Sequence, residues 1–176
     1  MLRNARVIVA DCNIPEDSLI WLAENCEVPI FCDPVSVTKA KKLQPILSKL
    51  HTLKPNRLEA ELLTGVTIRS REDAAKATQA LLDMGVERVF LSLGANGVCA
   101  ADRERQLWLP NFTGNMVSTT GCGDAFMAAL VWAWLEDQDL QQTALSGLAA
   151  AAIAMESEAT INPNMSITAL ATRMGR

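Results

Sequence analysis

Apolar positions along this chain fall into two periods. Short runs rich in β-branched residues alternate with longer segments whose apolar residues recur at helical spacing. Arg6–Ala10 predicts a first strand, ended by Asp11-Cys12-Asn13. Pro15 at a first helical turn, followed by Glu16 and Asp17, opens a helix to about Asn25. Val28–Cys32 is the next strand. Asp33-Pro34 stops it, and Ser36 caps a helix predicted to run through Pro45 to about Leu50. Thr52–Pro55 is a brief extended piece before a helix over Asn56–Leu63, and Ser70 caps another from Arg71 to about Met84, which Gly85 stops. Val86–Leu93 has the strongest strand pattern. Gly94-Ala95-Asn96-Gly97 turns it into Val98–Ala101, a predicted hairpin, and Gln106–Leu109 is a further short strand.

The stretch Ser118-Thr119-Thr120-Gly121-Cys122-Gly123-Asp124 follows, and then eleven apolar residues run from Ala125 to Leu135. That run is too long for a typical strand and well short of the roughly 18 residues a membrane span needs, so it predicts a buried helix. A helix start exposes unpaired N–H groups and the positive end of the helix dipole, and glycine lets an anion approach the backbone closely. Two readings follow. Thr120 or Asp124 caps a core helix, or the turn cradles a phosphate with Asp124 placed to take a proton from an incoming hydroxyl. Beyond it, Asp139 starts an alanine-rich helix to about Glu158, Thr160–Asn164 is a loop, and Ser166 caps a last helix.

Strands alternating with helices predict an α/β fold: a mostly parallel sheet covered by helices on both faces, with ligands at the carboxyl ends of the strands. Asp33, Asn56, Gly94 and the Gly121–Asp124 turn all follow predicted strands and are placed to share one rim. With 176 residues and no repeat or linker, a single domain over 1–176 is expected.

Charge and cysteine usage narrow the partners. A net charge of −4, with no basic run beyond Lys39–Lys42, argues against nucleic acid or an anionic membrane surface. Cys12, Cys26, Cys32, Cys99 and Cys122 are odd in number and lack CxxC spacing, which suggests neither a disulfide framework nor a zinc site. The single histidine, His51, leaves little material for a His-based triad and reads as structural. No signal-peptide pattern opens the chain, so a cytoplasmic protein with reduced thiols is expected.

Several other positions carry chemistry only in combination. Asn56 and Glu59 lie one helical turn apart on one face, which suits water-mediated Mg²⁺ binding and equally suits an ordinary helix cap. Ser92 and Gly94 end the strongest strand, where a hydroxyl and a bare backbone can meet a nucleotide or simply form the hairpin turn. Asp33-Pro34 is a substrate-side acid or a strand-ending turn. Trp108, Trp132 and Trp134 read as core, and at Cys122 the backbone N–H matters more than the sulfur.

Taken in order, Lys54-Pro55-Asn56-x-x-Glu59, Leu91-Ser92-Leu93-Gly94-x-x-Gly97 and Thr119-Thr120-Gly121-x-Gly123-Asp124-x-Phe126 resemble the ribokinase-like (PfkB) carbohydrate and nucleoside kinase family. Asp33-Pro34-Val35-Ser36 and Ser118–Asp124 look most like its pseudouridine kinase branch. The resemblance implies a phosphotransferase acting on a sugar or nucleoside hydroxyl with ATP and Mg²⁺. Asp124 would be the general base, and the N–H groups of Gly121, Cys122 and Gly123 the anion hole. Asn56 and Glu59 would help hold Mg²⁺, while Ser92, Gly94, Gly97, Thr120 and Asn162 would line the nucleotide site, with the 149–154 helix segment beside adenine. Ser118 stands where many members carry an acid that helps bind a monovalent cation, making Ser118 a candidate ligand and K⁺ a candidate cofactor.

The family's Gly-Gly sugar-binding motif and β-sheet lid have no counterpart here, since no glycine precedes Gly65. By resemblance the chain corresponds to the ATP-binding and catalytic-base half, which leaves a sheet edge for a second copy or another chain to cover. Weak or absent phosphorylation by this chain alone is therefore expected. A truncated, inactive nucleotide-binding module is the competing reading. A Rossmann-type dinucleotide binder fits less well, because no Gly-x-Gly-x-x-Gly follows the first strand.

Overall fold

The computed structural model describes residues 4–175, so Met1–Arg3 of the predicted lead into the first strand lie outside the described residues. Two compact units divide the chain: residues up to Gly94 with Cys99–Leu107, and Ala95–Val98 with the residues from Trp108 onward.

The first unit is built on parallel strands β1 (Ile8–Asp11), β2 (Ile30–Asp33), β3 (Thr52–Leu53) and β4 (Arg88–Ser92). One row of the register runs Ala10, Cys32, Leu53, Val89, all buried. Phe90 and Leu91 of β4 are buried with Val89, which is why that strand reads as a continuous apolar run rather than an alternation: both faces of the sheet are covered. Strand β1 differs. It stands first in the sheet order, and its Val9 is 55% exposed between buried Ile8 and Ala10. Helices α1 (Glu16–Asn25), α2 (Val37–Ala40), α3 (Arg57–Thr64) and α4 (Arg71–Asp83) connect these strands. Next in the sheet order come β5 (Val98–Ala101) and β6 (Gln106–Leu109). The short connection over 93–97 is too brief for a crossover, so β4 and β5 form the predicted hairpin.

The helix predicted from Ser36 to Leu50 is not continuous. Ser36 caps as expected, its hydroxyl accepting from the Lys39 N–H, but α2 gives way after Ala40 to a 3₁₀ helix over Lys41–Lys49. Pro45 is the cause: it lacks the N–H that an α-helix would donate to the Lys41 carbonyl, and its ring crowds that carbonyl. Elsewhere the caps act as the sequence predicts, with reciprocal capping boxes at Asn56/Glu59 and Ser70/Asp73.

The second unit is helical: α5 (Cys122–Leu135), α6 (Leu140–Met155) and α7 (Ile167–Arg173). Its core joins Ala129, Ala149, Ala150, Ile153 and Leu170. Alanines and glycine bring α5 and α6 together tightly, such that a Cβ on Gly147 would lie 2.7 Å from the Phe126 ring. Helix α5 is not buried all round, as its apolar run predicts. Phe126, Met127, Ala129, Leu130 and Ala133 face the core, whereas Ala128 is exposed and Ala125 partly so. Those two small residues line the cavity described below, which explains an apolar helix with one open side. No described helix is long and apolar enough to cross a membrane.

Candidate active site

Gly121 sets the geometry of the second unit's site. It precedes α5 in the left-handed region (φ +79°), and a Cβ there would lie 2.3 Å from the Thr160 carbonyl oxygen. Only glycine meets both demands. The helix begins with Ala125 N–H donating to the Gly121 carbonyl at 2.9 Å, and no side chain caps it. The capping reading of Thr120 and Asp124 is thus replaced by an open helix start. Thr120 is exposed and donates its N–H to the Ser118 hydroxyl at 3.2 Å, while Asp124 is exposed in the first turn. The Cys122 N–H reaches the Thr119 carbonyl only at 3.4 Å, the long end of hydrogen bonding, so it stays weakly engaged. Burial pushes the Cys122 thiol above its ordinary pKa, which keeps the sulfur neutral beside the helix start.

An open cavity of about 360 Å³ lies over this start, large enough for a small ligand. Gly121, Asp124, Ala125 and Ala128 form one side. Ala154, Thr160, Ile161, Asn162 and Met165 form the other. The lining is mainly apolar with one carboxylate, next to N–H dipoles that favour negative charge. Asn162 lines this cavity, yet its side chain is committed to the backbone. Its amide donates to the Ile153 carbonyl and its oxygen accepts from Asn164 N–H at 2.9 Å.

The first unit gathers a second group of polar residues at the carboxyl ends of β2, β3 and β4. Lys54 Nζ lies 2.8 Å from Asp33 Oδ2, with both side chains largely buried. Asp33 also accepts the Val35 N–H at 2.9 Å, holding Val35 at φ +65°, a conformation β-branched residues rarely adopt. Asn56 bridges to Ser92, and Ser92 donates its N–H to the Pro55 carbonyl at 2.9 Å. Glu59 is 2% exposed, with Oε2 accepting the Asn56 N–H at 2.8 Å. Burial is the main reason its pKa is raised; the Asn56 backbone bond opposes this, and nearby Asp33 adds to it.

The donor set fits a hydrated Mg²⁺ rather than a stripped one. Asn56 Oδ1 and one Glu59 oxygen already serve the capping box, and among the described residues no group of three or more His, Cys, Asp or Glu could hold a metal. Mg²⁺ keeps several waters and takes its other ligands from substrate phosphates, so one buried carboxylate in need of a countercharge suits it.

Of the residues read from sequence, Asp33, Asn56, Glu59 and Ser92 come together in the first unit, and Ser118, Thr120, Gly121, Cys122, Gly123, Asp124 and Asn162 cluster in the second. Gly94 is exposed at φ +56°, with nothing within 4 Å of where a Cβ would be. Gly97 is buried, and a Cβ there would sit 2.1 Å from the Leu109 carbonyl, so its glycine is explained by chain packing. Lys54 enters the sequence reading only within the Lys54-Pro55-Asn56 motif, and its ion pair with Asp33 has no local pattern. The Arg173–Glu156 pair left no trace either, because its partners are far apart in sequence.

Comparisons with known proteins bear on the family and the fold. The pfkB family carbohydrate kinase profile matches residues 7–167. The chain is 40% identical over 168 residues to pseudouridine kinase of Escherichia coli (strain K12), covering 94% of this chain and 54% of that protein. A proposed sugar kinase from Clostridium perfringens superposes with a TM-score of 0.92 at 30% identity, over 98% of this chain and 55% of the other. Ribokinase of Arabidopsis thaliana, solved with ribose and ATP, shares the fold with a TM-score of 0.85 at 24% identity, over 99% of this chain and 57% of that one. The chain thus spans about half the length of the relatives it matches. With an uncapped glycine turn opening α5, an α/β sheet of ribokinase type and a profile match across most of its length, this chain belongs to the pfkB family of carbohydrate kinases.

Proposed function

We propose that the chain carries out ATP-dependent phosphoryl transfer to a sugar or nucleoside hydroxyl, and that its acceptor is the 5′-hydroxyl of pseudouridine. The observation that carries the reading is the open start of α5. Gly121 turns the chain into the helix at φ +79° while packed on the Thr160 carbonyl, no side chain caps the first turn, and Asp124 stands exposed beside it on the cavity. Phosphoryl transfer asks for positioning and charge stabilisation more than covalent chemistry, and fixed N–H dipoles supply the latter. Asp124 accepts the hydroxyl proton as that oxygen bonds to the γ-phosphorus and the bond to the β–γ bridging oxygen breaks, leaving ADP. The N–H groups of Gly121, Cys122 and Gly123 serve the transferring group's oxygens. The cavity wall at Ala154 and Ile161 suits a flat apolar ring, which adenine provides. Asn56 and Glu59 hold water ligands of Mg²⁺, and Ser92 and Gly94 serve the nucleotide. Ser118, its hydroxyl engaged by Thr120 N–H, offers a neutral oxygen to K⁺.

A second reading, a nucleotide-binding module without turnover, shares the same open helix start and differs only in that no phosphoryl group is transferred. ADP formation measured with pseudouridine, uridine and ribose as acceptors tests the specificity. Pseudouridine should give the fastest ADP release. Equal rates with and without acceptor would remove the assignment.

A further inference from the structure

We infer that Arg173, far from the proposed chemistry in sequence, is a positioning residue that orders the segment leading into the glycine turn. The last turn of α6 is where three separate pieces of the second unit are tied. Its Met155 carbonyl accepts the N–H groups of both Val117 (2.8 Å) and Ser118 (3.2 Å), which fixes the chain just before Gly121. Its Ile153 carbonyl accepts the buried Asn162 amide, which fixes the loop carrying the Thr160 carbonyl against which Gly121 packs. Both walls of the cavity therefore hang from carbonyls of one helix end, two residues apart.

Arg173 closes this arrangement from outside. Its Nη2 lies 2.8 and 2.9 Å from the two Glu156 oxygens, and its Nη1 donates to the Thr113 carbonyl at 3.4 Å. Glu156 is the residue that ends α6. The fork thus clamps the 113–118 segment onto the same helix end that receives Val117 and Ser118. Gly114 passes through the gap: a Cβ there would lie 2.9 Å from Glu156 Oε1 and 3.2 Å from Arg173 Nη1. Residues 110–118 form neither helix nor strand, so the Met155 bonds, this clamp and the packing of Phe112 on the core stand in for secondary structure. A guanidinium presents its donors in one rigid plane, so Nη2 holds the carboxylate while Nη1 reaches a third oxygen; an ammonium on a flexible stem lacks that fixed spacing.

The consequence for nucleotide rests on the function proposed above, whereas the ordering of the segment does not. Amide hydrogen exchange in the full chain separates the two. In Arg173→Met, the Val117 and Ser118 amides should exchange about tenfold faster, as local opening loses a charge-assisted hydrogen bond. Leu130 and Ala133, inside α5, should keep their rates. Arg173→Lys, which keeps the charge without the fork, should fall between, and it applies the same criterion if the methionine variant does not fold. MgATP affinity, measured by calorimetry, should drop severalfold in step with exchange. Val117 and Ser118 exchanging at the wild-type rate in both variants would overturn the proposal. Should wild type bind no MgATP while exchange responds, the clamp stands and the kinase reading fails.

Discussion

Gly121 packs against Thr160 so closely that the space for a side chain is occupied by a carbonyl oxygen, 2.3 Å from where a Cβ would be. This contact makes the glycine turn and the far wall of the cavity one structure. Gly65 is the natural control, with a similar φ of +72° but nothing within 4 Å of a Cβ. Gly65→Ala should cost about 1 kcal/mol from backbone strain alone. Gly121→Ala should cost roughly 2–4 kcal/mol, because backbone must also move. Urea unfolding of both variants measures the difference, and equal costs would mean that Thr160 yields freely.

Gly147 tests the packing of α5 on α6. A methyl there meets the Phe126 ring at 2.7 Å, and this ring belongs to the turn of helix that follows Asp124. Gly147→Ala should destabilise by about 1–3 kcal/mol despite alanine's better helix propensity. A gain in melting temperature would show that the ring has room to swing.

Glu59 gives the first unit a distinctive pH response. Its pKa is raised in the folded state, first by burial, so the folded chain holds a proton that the unfolded chain has released once pH passes the ordinary value of 4.5. Stability contributed by this group is full below 4.5 and is lost as pH rises through the folded pKa. Burial lowers the His51 pKa from 6.5, which gives the opposite slope, with stability lost as pH falls below 6.5. Subtracting the stability curve of Glu59→Gln from that of wild type cancels the histidine. The difference should decline with pH above 4.5, and millimolar Mg²⁺ with nucleotide should restore it at neutral pH. A flat difference curve would place no titration at Glu59.

Lys54 and Asp33 form a largely buried pair at 2.8 Å. Removing one partner strands the other's charge, so Lys54→Met should cost about 3 kcal/mol or more, while Lys54→Met with Asp33→Asn should recover a good part of it. A double-mutant cycle on urea midpoints reads the coupling. Additive costs would mean that water solvates Asp33 in place of the lysine.

Local chemistry was the legible layer of this sequence. Asn56, Ser70, Asp139 and Ser166 cap the helices they precede, and the apolar run of β4 announced a strand buried on both faces. The glycine turn was visible too as a helix start, although the sequence left a plain cap and a phosphate cradle both open there. What escaped were relationships across the chain. Pro45 forced a 3₁₀ helix where helical periodicity alone continues. The outward Ala125 and Ala128 read as core because small apolar residues suit a cavity wall as well as a helix contact. Asn162 read as a residue of the nucleotide site and lines the cavity, and its amide bond to the Ile153 carbonyl was not visible in the sequence. Neither that bond nor the Arg173–Glu156 fork has a local pattern, since each joins a loop or helix to the end of α6.

The most direct measurement is transfer of labelled γ-phosphoryl from ATP to pseudouridine by wild type and by Asp124→Asn, with MgATP binding followed in parallel. Wild type should form pseudouridine 5′-phosphate. Asp124→Asn should lower that rate by about 10²-fold or more, the usual worth of a general base, while MgATP affinity holds within about twofold. Equal rates in the two proteins would contradict the role of Asp124, and binding without any transfer in wild type would leave the module as a nucleotide binder alone.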